Sequence, residues 1–121
     1  IALNVLPTNL TRLRFGTCFN QTLMVGVLPS NLSHLDFGWG FDQHITLYVL
    51  PTNLSHLRFG TSFNQTLMVG VLPPNLTDLE FGHYFNKQLT IGDATCNLTQ
   101  ISIKNKSLIN DISELKKCNI E

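Results

Sequence analysis

The stretch LPTNLTRLRFGTCFNQTLMVG at residues 6–26 returns at residues 50–70 as LPTNLSHLRFGTSFNQTLMVG, changed at three positions, Thr11/Ser55, Arg12/His56 and Cys18/Ser62. A looser copy lies between them in the same phase. Counted from the Val before each Leu-Pro, residues 5–26, 27–48, 49–70 and 71–92 are four units of 22 residues with no insertion. NLTQISI at 97–103 aligns with NLSHLRF at 53–59, so a fifth unit keeps the phase without the Pro. A fixed period in the range of about 20–50 residues constrains the fold more tightly than any other feature here. No single unit can bury its own apolar face, so each must be one coil of a stack. The near-identity of the first and third units points to duplication of a two-unit block.

Within a unit the apolar positions are firm. The Leu of Asn-Leu is Leu10, Leu32, Leu54, Leu76 and Leu98. Three residues on stand Leu13, Leu35, Leu57, Leu79 and Ile101, and two further on Phe15, Phe37, Phe59, Phe81 and Ile103. This L-x-x-L-x-F spacing is that of a leucine-rich repeat. Its closing apolar–polar–apolar alternation is strand-like, and stacked units place these strands side by side in a parallel sheet about 4.8 Å apart. Gly16, Gly38, Gly60 and Gly82 close the strands and permit a turn. A second aromatic column follows at Phe19, Phe41, Phe63 and Phe85, so that all eight Phe residues form a double spine in the core. The return path TLMVGVLP is short and bounded by Gly and Pro, too short for a stable helix, and Pro7, Pro29, Pro51 and Pro73 suit an extended edge. The expectation is a mainly β solenoid with a parallel sheet on one face and an extended, non-helical convex side. Two amide columns, Asn9/Asn31/Asn53/Asn75/Asn97 and Asn20/Asp42/Asn64/Asn86, are expected to hydrogen-bond backbone groups of their own or the next coil.

The pattern LPxNLxxLxFGxxFNQ every 22 residues resembles the FNIP repeat, a leucine-rich-repeat relative of social amoebae and giant viruses. The resemblance covers residues 1–103 or so. The Pro of the family's name motif is absent, since FNQT, FDQH, FNQT and FNKQ stand where FNQP is usual. The resemblance implies a protein-interaction scaffold, and such repeats often sit beside an F-box that recruits ubiquitin-ligase machinery; no F-box occurs in these residues.

The side chains flanking the central Leu of each strand should reach the exposed sheet face. One column holds Arg12, His34, His56, Asp78 and Gln100, the other Arg14, Asp36, Arg58, Glu80 and Ser102. Signs alternate along the second column, which reads either as a self-satisfied charge ladder or as a charged binding face. Trp39 and Tyr84 depart from the smaller residues at matching rim positions and read either as interface anchors or as side chains partly buried against the next coil. His34 and His56 fall in adjacent units but lack the ligand spacing of a zinc site. No catalytic constellation, phosphate loop or cofactor motif stands out from the repeat. The candidate partner-binding residues are therefore Arg12, Arg14, His34, Asp36, His56, Arg58, Asp78, Glu80, Trp39 and Tyr84, with no catalytic residue, metal or cofactor expected.

The net formal charge is zero and charged residues make up only 13% of the chain, which argues against nucleic acid or an anionic membrane as the partner. No apolar run approaches the ~20 residues of a membrane-spanning helix. Cys18, Cys96 and Cys118 have no repeating partners, which reads as free thiols in a reducing compartment, the alternatives being one disulfide or a reactive Cys18. Eight N-x-S/T sequons at Asn9, Asn20, Asn31, Asn53, Asn64, Asn75, Asn97 and Asn105 would suit a secreted glycoprotein. Five of them, however, share one column at strand spacing, too tight for a glycan at every step, so an intracellular protein is expected and a secreted, glycosylated recognition or adhesion domain is the alternative. The chain reads as one domain over 1–121, with 1–4 ending a truncated repeat, the four repeats at 5–26, 27–48, 49–70 and 71–92, and a degenerate repeat and C-terminal cap at 93–121. The missing N-terminal cap reads as a piece of a longer protein or as a truncated gene product, with self-association open to the uncapped end. Past Ile103, residues 107–117 have helical spacing and 115–120 again fit a strand. The function expected is non-catalytic protein binding, with substrate recognition for a ubiquitin-ligase-type adaptor as its finer form.

Overall fold

Five three-residue strands carry the stack in the computed structural model, which describes residues 5–89 and 97–103. They are β1 (Arg12–Arg14), β2 (His34–Asp36), β3 (His56–Arg58), β4 (Asp78–Glu80) and β5 (Gln100–Ser102). All pair in parallel in chain order, with Leu13, Leu35, Leu57, Leu79 and Ile101 in register. The expected solenoid is thus the observed one, and no helix occurs among the described residues. The helical spacing at 107–117, the last strand at 115–120, Cys96 and Cys118 lie outside the described residues. Cys18 is a free, exposed thiol.

The strands are short because each contributes one inward Leu between two outward side chains. Register is fixed at their entry. The amides of Ser33 and His34 both donate to the carbonyl of Thr11, at 2.8 and 3.1 Å, and the Ser33 hydroxyl donates to the same oxygen at 3.1 Å. The arrangement repeats a coil later at Ser55 on Ser33, and again at Thr77 on Ser55.

Three turns complete each coil. The amide of Leu32 donates to the Pro29 carbonyl at 3.1 Å, that of Phe63 to Gly60 at 3.4 Å, and that of Val71 to Met68 at 3.1 Å, with equivalents in the other coils. These turns replace any helix on the return path. Inside them Leu32, Phe37, Phe41, Leu54, Phe63, Leu76 and Leu98 are fully buried. The Phe residues form the expected double spine. Partners within a coil stack at 3.9–4.1 Å between ring centroids, and Phe59 lies 5.2 Å from Phe37 and 5.3 Å from Phe81 in the neighbouring coils. Offset stacking at such distances adds to the area these rings bury.

The glycine column has a different reason from turn geometry. Only Gly38 of that column has a positive φ, 76°. At Gly60 and Gly82 a Cβ would run into the carbonyl of the preceding coil's glycine, so the requirement is close approach of backbones. Three members of each amide column make the expected bond to a neighbouring coil. Asn53, Asn75 and Asn97 donate from Nδ2 to the carbonyls of Ser30, Thr52 and Pro74 at 3.2, 3.1 and 2.8 Å. Asn20, Asp42 and Asn64 accept the amides of Asp42, Asn64 and Asn86 through Oδ1, each at 2.9 Å.

Candidate partner-binding face

The parallel register brings all eight charged or imidazole residues of the two outward columns together. They line one open trough of about 860 Å³ along the strands, at whose centre Leu13, Leu35, Leu57, Leu79 and Ile101 turn their side chains inward. The two columns differ in kind. In the second, Arg14 Nε stands 3.6 Å from Asp36 Oδ2, Arg58 Nη1 lies 3.9 Å from the same oxygen, and Arg58 Nε lies 3.4 Å from Glu80 Oε2. Asp36 Oδ1 also accepts the Gly38 amide at 2.9 Å. This column is a charge ladder along the stack. Such solvent-exposed pairs contribute about 0–1 kcal/mol each, but together they leave the column little charge to offer.

The first column is not self-satisfied. Arg12 has no ion pair or hydrogen bond from its side chain among the described residues. Next to it the rings of His34 and His56 stack at 4.1 Å with 8° between their planes. Each Nδ1 is 2.8 Å from the hydroxyl of the preceding serine, Ser33 or Ser55. Those hydroxyls also lie 3.1 Å from the carbonyls of Thr11 and Ser33 in the preceding coil. The serine contact holds each ring by Nδ1 and leaves Nε2 on the outer side. Asp78 Oδ1 stands 3.6 Å from His56 Nε2, an ion pair only when that imidazole is protonated. The His34 pKa is lowered from 6.5 by desolvation, then by His56, then by Arg12, with Asp78 acting the other way.

Ser55, His56 and Asp78 imitate a nucleophile triad in composition only. In a triad the serine oxygen is held only by its base and is open to substrate; here Ser55 Oγ is also tied to the Ser33 carbonyl of the preceding coil at 3.1 Å. The same contact recurs at Ser33–His34 without an acid, as repeat geometry would have it. Parallel stacking also aims the two Nε2 atoms side by side, whereas a shared metal needs them to converge. No metal-holding group of three or more such side chains occurs among the described residues.

Trp39 and Tyr84 are both exposed, at 62%, on loops after β2 and β4, and neither lines the trough. The sequence reading missed a second exposed surface. On the return turns Met24, Val25, Leu47, Tyr48, Met68 and Val69 all face solvent. One signal was legible: Tyr48 occupies the position of Gly26, Gly70 and Gly92 in its sister units.

The FNIP repeat profile matches residues 1–38, 19–62 and 63–92. The chain belongs to the FNIP repeat family. Among solved structures, the circular LRR protein CroV588 is similar to it, with 51% identity, a TM-score of 0.80 and coverage of 84% of this chain. This FNIP stack spans 15% of the length of that protein. No curated protein matches the chain. An LRR-like FNIP solenoid is the kind of fold that serves as a protein-interaction scaffold, and such scaffolds are typically non-catalytic.

Proposed function

We propose that the strand face is a protein-docking surface and that its first column reads the partner. The observation that carries this is the contrast between the columns. Arg14, Asp36, Arg58 and Glu80 neutralise one another, whereas Arg12, His34, His56 and Asp78 turn unspent charge and two imidazole edges toward the trough. Arg12 and Asp78 stand three strands apart, about 14 Å at parallel-strand spacing. The partner that fits is an extended protein segment with a carboxylate over Arg12 and a cation over Asp78. Trp39 and Tyr84 supply apolar anchors at the rim.

The test is capture of partners from the native host by the parent chain, Arg12→Glu and Trp39→Ala, each checked for unchanged folding. Arg12→Glu should lose the partner and Trp39→Ala should weaken it. If both keep every partner of the parent, the strand face and rim are not the binding site. The finer form of this reading is substrate recognition for a ubiquitin-ligase-type adaptor; its support is the company that FNIP repeats keep, and its test is co-purification of ligase subunits with the full-length gene product. An intracellular location follows in the same reading. It is supported by Asn53, Asn75 and Asn97, whose Nδ2 atoms, the ones a glycan would need, are donated to the preceding coil. Mass spectrometry of host-derived protein checks this, and glycans on several sequons would replace it with the secreted reading.

A further inference from the structure

The return turns of the first three coils share one geometry. Val27 donates its amide to Met24, Val49 to Thr46 and Val71 to Met68, at 3.3, 3.4 and 3.1 Å. The third turn position needs a positive φ, and Gly26 and Gly70 supply it at 88° and 90°. The middle coil puts Tyr48 there at φ 68°, the single non-glycine residue with positive φ among the described residues. That backbone setting disfavours any residue with a Cβ. Yet Tyr48 is 80% exposed and makes no hydrogen bond or ring contact among the described residues. A strained, solvent-facing aromatic in a glycine position is a feature that folding of this chain does not require.

Its neighbours extend the feature into a ridge. Met24 and Val25 lie on the turn before it, Leu47 beside it, and Met68 and Val69 on the turn after it, all exposed. A Cβ on Gly70 would stand 3.2 Å from Leu47 Cδ2, so the turns of adjacent coils touch. Residues 24–26, 46–48 and 68–70 include no charged side chain, in contrast to the strand face. A charged partner therefore gains nothing here, and the complementary surface must itself be neutral and apolar.

We propose that this ridge is the interface for a second copy of the chain, packed about a two-fold axis at Tyr48. The sequence on the ridge is self-complementary under that operation. Met-Val-Gly flanks Leu47-Tyr48 on both sides, so a two-fold sets Met24 and Val25 of one copy on Met68 and Val69 of the other, with the two Tyr48 rings adjacent. An isologous interface has this form, each patch meeting its own copy. The six residues are 44–80% exposed, so pairing two ridges covers an apolar strip that spans three coils. This surface is separate from the strand face, which stays free in the dimer to hold its own partner.

Sedimentation equilibrium of the chain over a range of concentrations tests the proposal. A monomer–dimer equilibrium that stops at the dimer is expected. Tyr48→Gly should raise the melting temperature of the dilute monomer, because glycine suits φ 68°, and at the same time raise the dimer Kd ~10-fold or more, the loss typical of an aromatic anchor. Met24→Gln with Met68→Gln should also raise the Kd, while Arg12→Glu on the other face should leave it unchanged. A chain that stays monomeric at every concentration overturns the proposal. So does association that runs on past the dimer and ignores Tyr48→Gly, which would be stacking through coil ends. Binding of a monomeric chain to neutral phosphatidylcholine vesicles, lost in Tyr48→Gly, would also overturn it by making the ridge a lipid contact.

Discussion

At the scale of single residues, the stack is fixed by side chains that have no room to differ. Gly60 packs its α-carbon against the Gly38 carbonyl, a backbone atom that cannot swing aside. Gly60→Ala should cost at least ~1–3 kcal/mol, the range for overpacking. Gly16 is the matched control. Nothing lies within 4 Å of the site its Cβ would occupy, so Gly16→Ala should stay within ~0.5 kcal/mol of the parent in urea unfolding. Equal losses in both variants would refute close approach as the reason for this column. His34 makes a pH-dependent contribution. Its folded-state pKa lies below 6.5, chiefly through desolvation, with His56 and Arg12 adding to the shift. As pH falls the unfolded chain takes up the proton first, so the stability associated with neutral His34 is present above pH 6.5 and is lost as pH drops through the folded value. His34→Gln should flatten the fall in stability between neutral and mildly acid pH, read from chemical unfolding at several pH values; an unchanged slope would remove His34 from that role.

At the scale of the element, each coil is held to the next by ladders running across the strands. Asp42 Oδ1 accepts the Asn64 amide at 2.9 Å and Gln65 Nε2 at 3.0 Å, both partly buried. Asp42→Ala leaves the Asn64 amide without its acceptor, at a cost of ~1–3 kcal/mol, whereas Asp42→Asn keeps an oxygen there, as Asn20 and Asn64 do one coil away, and should be close to neutral. Thermal melts of the two variants check this, and comparable losses would mean that charge matters more than the hydrogen bond. The strand-face ladder differs, because Arg14, Arg58 and Glu80 are exposed around a partly buried Asp36 and the pairs contribute little apiece.

At the scale of the molecule, the hydrogen bonds, ion pairs and ring stacks of the described residues run within a coil or between adjacent coils, so stability is close to a sum over coils and their interfaces. Phe59 sits at the middle of this chain of contacts, 1% exposed and stacked on Phe37, Phe63 and Phe81. Phe59→Ala should cost ~3–5 kcal/mol and also uncouple the coils on either side. Hydrogen exchange should then show protection falling at β3 and its flanking strands together, in place of one uniform loss. A melting temperature within a degree or two of the parent would contradict the core assignment.

Most of the fold was legible in the sequence because a 22-residue period with invariant Leu, Phe and Asn columns leaves one way to stack. Leu35, Phe37 and Asn53 recur because each coil must fit a copy of itself, and a constraint repeated down the chain is written down the chain. Which residues share the strand face was legible too, from the alternation around Leu13, Leu35, Leu57 and Leu79. What each of them does there was not. Whether Arg58 pairs with Asp36 or faces a partner, and which nitrogen of His56 faces outward, depend on distances across strands and on what the Ser55 hydroxyl touches. Sequence spacing does not carry those quantities. The return ridge was hidden for the same reason. Met24 and Val27 are both apolar and near in sequence, yet one is exposed and the other buried. A turn closed by the Val27 amide decides which way each side chain points, and only the coil wound against its neighbours sets that turn.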